Sequence, residues 1–284
     1  MITDVPSLYA VVARSCSSRM LAVLAAKVFI HTSHYDALIA NYFSKRLNIQ
    51  SPKTLTLTFE KKQDLRYGEN PHQSATFYTQ IQETEGTLTG AIQLHGKELS
   101  YNNIGDTDGA LEALKEFDEP TVVAAKHANP CGVASAATLA EAFKKAYEAD
   151  PVSIFGGIVA VNREVDKATA EIMSPIFLEV IVAPSFSEEA LAILTKKKNL
   201  RLLQLSNISK RDYTSPKAKT VLGGLLIQDM DQQLLDGELK YVTQRRPSEK
   251  ELEDLLFALK VVKHTKSNAI AIAKDKCTTG VGPG

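Results

Sequence analysis

The sequence predicts an α/β fold, a layered sheet with helices packed against it. Two observations carry this expectation. Short apolar, β-branched runs such as Thr121–Ala125 and Leu178–Ala183 have the composition of strands buried on both faces. Between them stand segments with apolar residues at helical spacing, and strands that alternate with helices argue for a layered sheet. A chain of 284 residues with 44% hydrophobic and 23% charged side chains is long enough to bury a sizeable core, as one large domain or two smaller ones.

Residues 1–18 show no usable periodicity. Residues 20–46 read as one or two helices ending in Lys45-Arg46, and Asn48–Lys53, with Ser51-Pro52, reads as a linker. From Thr54 the alternation of Leu55, Leu57 and Phe59 predicts a strand. Asp106–Phe117 is predicted helical, with Ala110, Leu111, Leu114 and Phe117 on one stripe, and Thr121–Ala125 a buried strand. A helix carrying Leu139, Ala142, Phe143, Ala146 and Tyr147 is expected to follow, opened by the capping-box pattern Thr138–Glu141. Strands at Gly157–Val161, Leu178–Ala183 and Leu200–Leu205 alternate with helices at Val165–Met173 and Glu188–Leu194. Gly223-Gly224 predicts a turn ahead of Leu225–Gln228, Ser248–Glu251 a cap on a helix bearing Leu252, Leu255, Leu256 and Leu259, and Ala269–Ala273 a buried strand.

Bulk properties exclude several classes. Lys+Arg and Asp+Glu are equal at 33 each, so no basic field points to nucleic acid, and any bound anion must be held by local groups. Cys16, Cys131 and Cys277 are too few and too scattered for a disulfide framework, which predicts a reducing cytoplasm. The apolar stretch Met20–Phe43 is interrupted by Lys27, His31, His34 and Asp36 and is too broken to span a bilayer. Asp4, and the lack of a charged start followed by an apolar core, argue against a signal peptide.

The chemistry-bearing candidates centre on Lys126-His127-Ala128-Asn129-Pro130-Cys131-Gly132, expected to be the loop between a buried strand and a helix. A histidine moves protons near neutral pH, and a lysine stabilises a developing oxyanion. Asn129-Pro130 and Gly132 are expected to form the turn that presents them. The alternative is an ordinary strand-to-helix loop with a solvated Lys-His pair. Cys131 fits a small half-buried structural cysteine better than a nucleophile or a zinc ligand: Pro130-Cys131 is followed three residues on by Ala134, and no H-x-E is present. Arg66 in Leu65–Gln73 has a fork of donors suited to phosphate. Asp106 is expected to be an N-cap, Ser153–Gly157 a turn with glycines that allow close approach to a ligand, and Asn268 a residue within ligand reach before a strand. The terminal GVGPG is not a dinucleotide fingerprint.

Taken in order, LRYGENPHQ, LSYNNIGDTDGALE, VVAAKHANPCGVA, DPVSIFGGIVAVNREVD, EVIVAPSFSEEALAIL and VKHTKSNAIAIAKD resemble one family across residues 54–284. It is the bifunctional purine-biosynthesis family that combines AICAR formyltransferase with IMP cyclohydrolase. The resemblance implies formyl transfer from 10-formyltetrahydrofolate, as co-substrate, to the amine of AICAR, and a cytidine-deaminase-like fold without zinc. By motif, Lys126 and His127 correspond to the catalytic pair and Arg66 and Tyr67 to the nucleotide-phosphate motif, while Asn103, Phe155, Gly156, Glu179 and Asn268 line the nucleotide pocket. The resemblance further implies a cytoplasmic homodimer for the full-length family, with no nucleic acid or membrane partner. It places the C-terminal helical stretch of the cyclohydrolase domain at about Leu21–Phe43, within residues 1–47, and an incomplete N-terminal part of the formyltransferase domain at 54–284. Residues 1–18 are expected to be a divergent or misread start, and the ring-closing residues to lie upstream. A Gln- and Arg-containing motif and most of the folate site are expected beyond Gly284. The competing readings are an inactive nucleotide-binding remnant of the same enzyme and, from another class, a zinc deaminase.

Overall fold

The computed structural model describes residues 18–81, 84–211 and 216–284; Cys16 and the expected irregular start lie outside the described residues. The chain divides into two compact units, one drawn from Met1–Lys61 and Tyr78–Gln82, the other from Lys62–Phe77 and Glu83–Gly284.

In the first unit, residues 20–46 form a single helix, α1 (Ser18–Arg46), whose last turn carries Lys45 and Arg46 against the negative end of the helix dipole. No helix of the described residues is long and apolar enough to cross a membrane. The strand expected from Thr54 is not formed there. Leu55, Leu57 and Phe59 belong to no strand and are exposed, and the first strand, β1, is Glu60–Leu65. Alternation supplies two faces but not a ladder partner, and this stretch is held instead through its side chains: Thr58 Oγ1 lies 2.7 Å from His34 Nδ1 on α1. β1 pairs with β2 (Ala75–Thr79) in a two-stranded ribbon.

The second unit is the predicted layered α/β structure. Its strands are β3 (Ile92–His95), β4 (Thr121–Lys126), β5 (Asn129–Ser135), β6 (Gly157–Val161), β7 (Leu178–Ala183), β8 (Arg201–Gln204), β11 (Ile270–Lys274) and β12 (Cys277–Gly282), in the order β11-β12-β5-β4-β6-β7-β8-β3. β6, β7 and β8 run parallel, and the remaining pairings are antiparallel. β9 (Lys217–Val221) and β10 (Gly224–Gln228) form a separate hairpin around Leu222-Gly223.

The central strands alternate between two helical layers. Val122, Ala124, Val159 and Ile181 face α3 (Leu139–Ala149), α4 (Lys167–Met173) and α5 (Glu188–Leu194). Val123, Ala125, Ile158 and Val180 face α2 (Tyr101–Leu114) and α6 (Glu249–Lys263). Because both faces are covered, these strands read as unbroken apolar runs. Side chains close the helix ends as the sequence suggests: Ser248 and Glu251 form a capping box, and Thr138 Oγ1 accepts from Glu141 N.

Three boundaries differ from expectation. Asp106 is not an N-cap: α2 begins five residues earlier behind Ser100, whose hydroxyl accepts from Asn103 N while the Asn103 side chain accepts from Ser100 N. β11 is an edge strand, with Ile270 and Ile272 exposed, rather than a buried one. The stretch after Lys126 is a second strand, β5, rather than a loop leading straight into a helix. The turn that follows α2 is tied to the C-terminal end of α6, Glu116 Oε1 lying 3.0 Å from both Lys263 Nζ and His264 Nε2.

Candidate active site

The segment expected to be a strand-to-helix loop is a tight hairpin. β4 and β5 pair from Thr121↔Ser135 to Lys126↔Asn129, so the turn is His127-Ala128, not Asn129-Pro130. The register slips between Ala124 and Ala125, which face Gly132 and Pro130, leaving Cys131 as the extra residue of a β-bulge. Both turn residues have left-handed backbones, φ 53° at His127 and 59° at Ala128. Two-residue hairpins of this shape favour Asn-Gly, and a residue with a Cβ costs about 1–2 kcal/mol in that region. Strain of this kind gathers where a side chain must be presented, and here it lifts an exposed His127 off the end of the buried strand.

Cys131 is half-buried, its Sγ lies 3.5 Å from Ala124 O, and burial together with the negative charge of Asp150 pushes its thiol up to about 12. A thiol raised in this way yields little thiolate, the nucleophilic form, at neutral pH.

Around the hairpin the sheet supplies a cradle. β4 runs antiparallel to β6 and ends where the parallel strands β6, β7 and β8 begin. The site therefore lies at the N-terminal edge of those strands, opposite to where open parallel sheets usually place ligands. Lys126 Nζ donates to Gly156 O at 2.6 Å. Gly156 has φ +66°, a backbone that favours glycine, and a Cβ there would stand 3.2 Å from the Phe177 ring and 3.3 Å from Lys126 Nζ, a tight fit. Phe155 packs on Phe177 with ring centroids 5.1 Å apart, and both rings are largely exposed. At the start of β7, Glu179 Oε2 accepts from Asn103 Nδ2 at 2.7 Å and lies 3.7 Å from Arg201 Nη1.

The remaining motif residues reach this region through neighbours. Asn102 Nδ2 donates to Glu69 O at 3.5 Å, joining the LRYGENPHQ loop to the start of α2, while exposed Arg66 lies over the Tyr67 ring at 5.8 Å. Lys266 N donates to Asn129 Oδ1 at 2.8 Å, which brings the Lys266-Ser267-Asn268 segment to the hairpin; Asn268 itself is exposed, its Oδ1 accepting from Ser267 Oγ. Thus Lys126 meets Gly156, and Asn103 meets Glu179, whereas Arg66, Tyr67 and Asn268 stand on flanking segments. One residue of the region escaped the sequence reading. Arg201, which also donates from Nε to Glu98 O at 3.3 Å, is a lone cation opening an apolar strand, and that is its only signal. Among the described residues, no three of His, Cys, Asp and Glu come together as a metal-binding group.

A Lys-His pair on a strained hairpin, a carboxylate held between an amide and a guanidinium, and an exposed aromatic pair make this edge of the α/β scaffold the candidate site. The chain belongs to the family described as AICARFT/IMPCHase bienzyme, which it matches over residues 5–284, and the resemblance read from the six motifs is borne out. It is similar to the bifunctional purine biosynthesis protein PurH of Acetivibrio thermocellus, at 62% identity over 267 residues. The PurH proteins of Ruminiclostridium cellulolyticum and Bacillus mycoides are 61% and 60% identical over 266 and 262 residues. Each match covers 92% of this chain and 51% of the relative, so the chain spans about half the length of the curated relatives it matches.

Proposed function

We propose that this chain serves transfer of a formyl group from 10-formyltetrahydrofolate to AICAR in purine biosynthesis, with IMP cyclohydrolase activity belonging to the full-length proteins of the family. The observation that carries the reading is the Lys126-His127 pair. Lys126 is held by the Gly156 carbonyl beside an exposed histidine, at the edge where Asn103 and Glu179 also stand.

The reaction joins the AICAR amine nitrogen to the formyl carbon and breaks the bond from that carbon to the folate nitrogen. The amine is a poor nucleophile, so its departing proton needs an acceptor, and His127 fills that role. Negative charge grows on the formyl oxygen. Lys126 keeps two ammonium hydrogens beyond the one given to Gly156 O, and these stabilise that charge and supply the proton that the folate nitrogen takes up. Arg66 and Tyr67 hold the nucleotide phosphate, while Asn103, Phe155, Gly156, Glu179 and Asn268 line the remainder of the nucleotide.

Residues 1–47 are assigned to a divergent start followed by the C-terminal helical stretch of the cyclohydrolase domain, and 54–284 to the N-terminal part of the formyltransferase domain. The fold is assigned as cytidine-deaminase-like without zinc, on the mixed sheet between two helical layers and on the lack of H-x-E and P-C-x-x-C in the sequence. A cytoplasmic location and a homodimeric full-length protein, with small molecules as partners, complete the proposal.

A formyl-transfer assay with both substrates tests it. His127→Ala is expected to lower turnover by about 10²–10⁴-fold. Arg66→Ala is expected to raise the KM for AICAR by roughly tenfold with kcat retained. Saturable AICAR binding without turnover in the wild-type chain would identify a nucleotide-binding protein instead.

A further inference from the structure

Arg201 opens β8, and its side chain is 14% exposed, against 38% for that of Glu179. A guanidinium does not shed its proton, so one this far from water needs partners for its charge and its fork of donors. Two are in place. Nε donates to Glu98 O at 3.3 Å, and Nη1 lies 3.7 Å from Glu179 Oε2. The first contact depends on a close passage of the chain: Gly96 has φ +91°, and a Cβ there would run into Leu200 O and stand 2.9 Å from Arg201 Cα. The second follows from register, since Val180, next to Glu179, pairs with Arg201 across the parallel strands β7 and β8.

The same oxygen of Glu179 is also held from α2. Oε2 accepts from Asn103 Nδ2 at 2.7 Å, and the Asn103 amide is itself fixed, because its Oδ1 accepts from Ser100 N. Both cationic and amide partners thus fall on Oε2, and among the described residues none donates to Oε1. A partly exposed carboxylate fastened by one oxygen, with the other left open, is an acceptor set in place before a ligand arrives.

We propose that Arg201 is a positioning residue for the nucleotide: its guanidinium, braced on Glu98 O, holds the Glu179 carboxylate with one oxygen free, and it acts on the ligand through Glu179. The proposal deepens the formyl-transfer reading and rests on its assignment of Glu179 to the nucleotide pocket. A contact made equally in the ground and transition states changes the KM for AICAR and leaves kcat.

Arg201→Met, Arg201→Lys, Glu179→Gln and the double variant Arg201→Met with Glu179→Gln, all in the full chain, are compared with wild type by formyl-transfer kinetics and by calorimetric titration with AICAR. Arg201→Met is expected to raise the KM and the Kd for AICAR by about tenfold, with kcat and the KM for 10-formyltetrahydrofolate within about twofold. Arg201→Lys keeps the charge but not the second donor direction, and is expected to recover part of the loss. Because Arg201 acts through Glu179, its substitution should add less than about twofold in the Glu179→Gln background. An unchanged KM and Kd for AICAR in Arg201→Met, a kcat that falls along with them, or losses that multiply in full in the double variant overturns the proposal. Should Arg201→Met fail to fold, the same cycle is run with Arg201→Lys and read in the same way. AICAR binding without turnover in the wild-type chain refutes the formyl-transfer reading alone, and the cycle in Kd still decides for Arg201; a wild-type chain that binds no AICAR refutes both.

Discussion

At the scale of single residues, Ala128 has a left-handed backbone and an exposed side chain, so its Cβ contributes strain and little burial. Relief of that strain, about 1–2 kcal/mol, exceeds the ~0.5–1 kcal/mol that glycine's extra unfolded-state freedom costs. Ala128→Gly is therefore expected to stabilise the chain by roughly 0.5–1 kcal/mol in urea denaturation, and the looser turn to lower kcat. A second expectation concerns Cys131. With its thiol pushed up to about 12 by burial and by Asp150, it stays protonated at pH 8 and should alkylate with iodoacetamide far more slowly than an unperturbed cysteine, as peptide mapping by mass spectrometry would read. The candidate pair was legible at this scale, because Lys126-His127 stands out at the end of the apolar run Thr121–Ala125. Asp106 was not. An acidic residue before an apolar stripe has the signature of a cap, and only the structure shows that Ser100 holds that place.

The elements were read best where burial on two faces leaves a run of apolar residues, as in β4, β6 and β7. They were missed where turn-forming residues sit inside strands. Pro130 and Gly132 suggested a loop, yet the bulge at Cys131 absorbs the proline, and Gly132 lies against α3, where a Cβ would meet Ala146 O at 2.1 Å. A strand such as β12, second from the sheet's edge, with two glycines and little buried area, carries hardly any pattern. Between elements, the ionic tie of the turn after α2 to the C-terminal end of α6 gives a pH-dependent prediction. Burial disfavours the charged form of Glu116, but hydrogen bonds from His264 and Lys263 and the charges of both outweigh it, lowering the carboxyl from 4.5 to about 2. Because the folded value is the lower one, the stabilisation is complete above about 4.5 and is lost as pH falls toward 2. Glu116→Gln should lower stability at pH 7 by roughly 1–3 kcal/mol, the range for hydrogen bonds to charged groups. The gap to wild type should then close between about 4.5 and 2 in urea titrations at stepped pH. A gap independent of pH in that window would show that Glu116 is not held ionised by α6.

The whole molecule exposes more apolar surface than a balanced composition suggests. On α1, Val28, Phe29 and Ile30 are 58%, 72% and 68% accessible, with Met20, Tyr35 and Tyr42 also exposed on the same helix. On the eight-stranded sheet, β11 forms one edge with Ile270 and Ile272 exposed, and β3 the other with Ile92 and Leu94 exposed. Contiguous apolar area of this kind, and unpaired strand edges, drive association in water. Equal numbers of acidic and basic residues leave no net repulsion to oppose it. The chain is therefore expected to self-associate, its weight-average sedimentation coefficient rising with concentration in the micromolar range. The two surfaces are separable by substitution. Phe29→Ser with Ile30→Ser removes the helix contribution, while Ile272→Lys places a charge on the sheet edge, a device by which natural edge strands avoid pairing. If helix burial dominates, the double substitution flattens the concentration dependence and Ile272→Lys leaves it; if edge pairing dominates, the pattern reverses. A single monomeric sedimentation coefficient for the wild-type chain over a hundredfold range of concentration would mean that neither surface is adhesive.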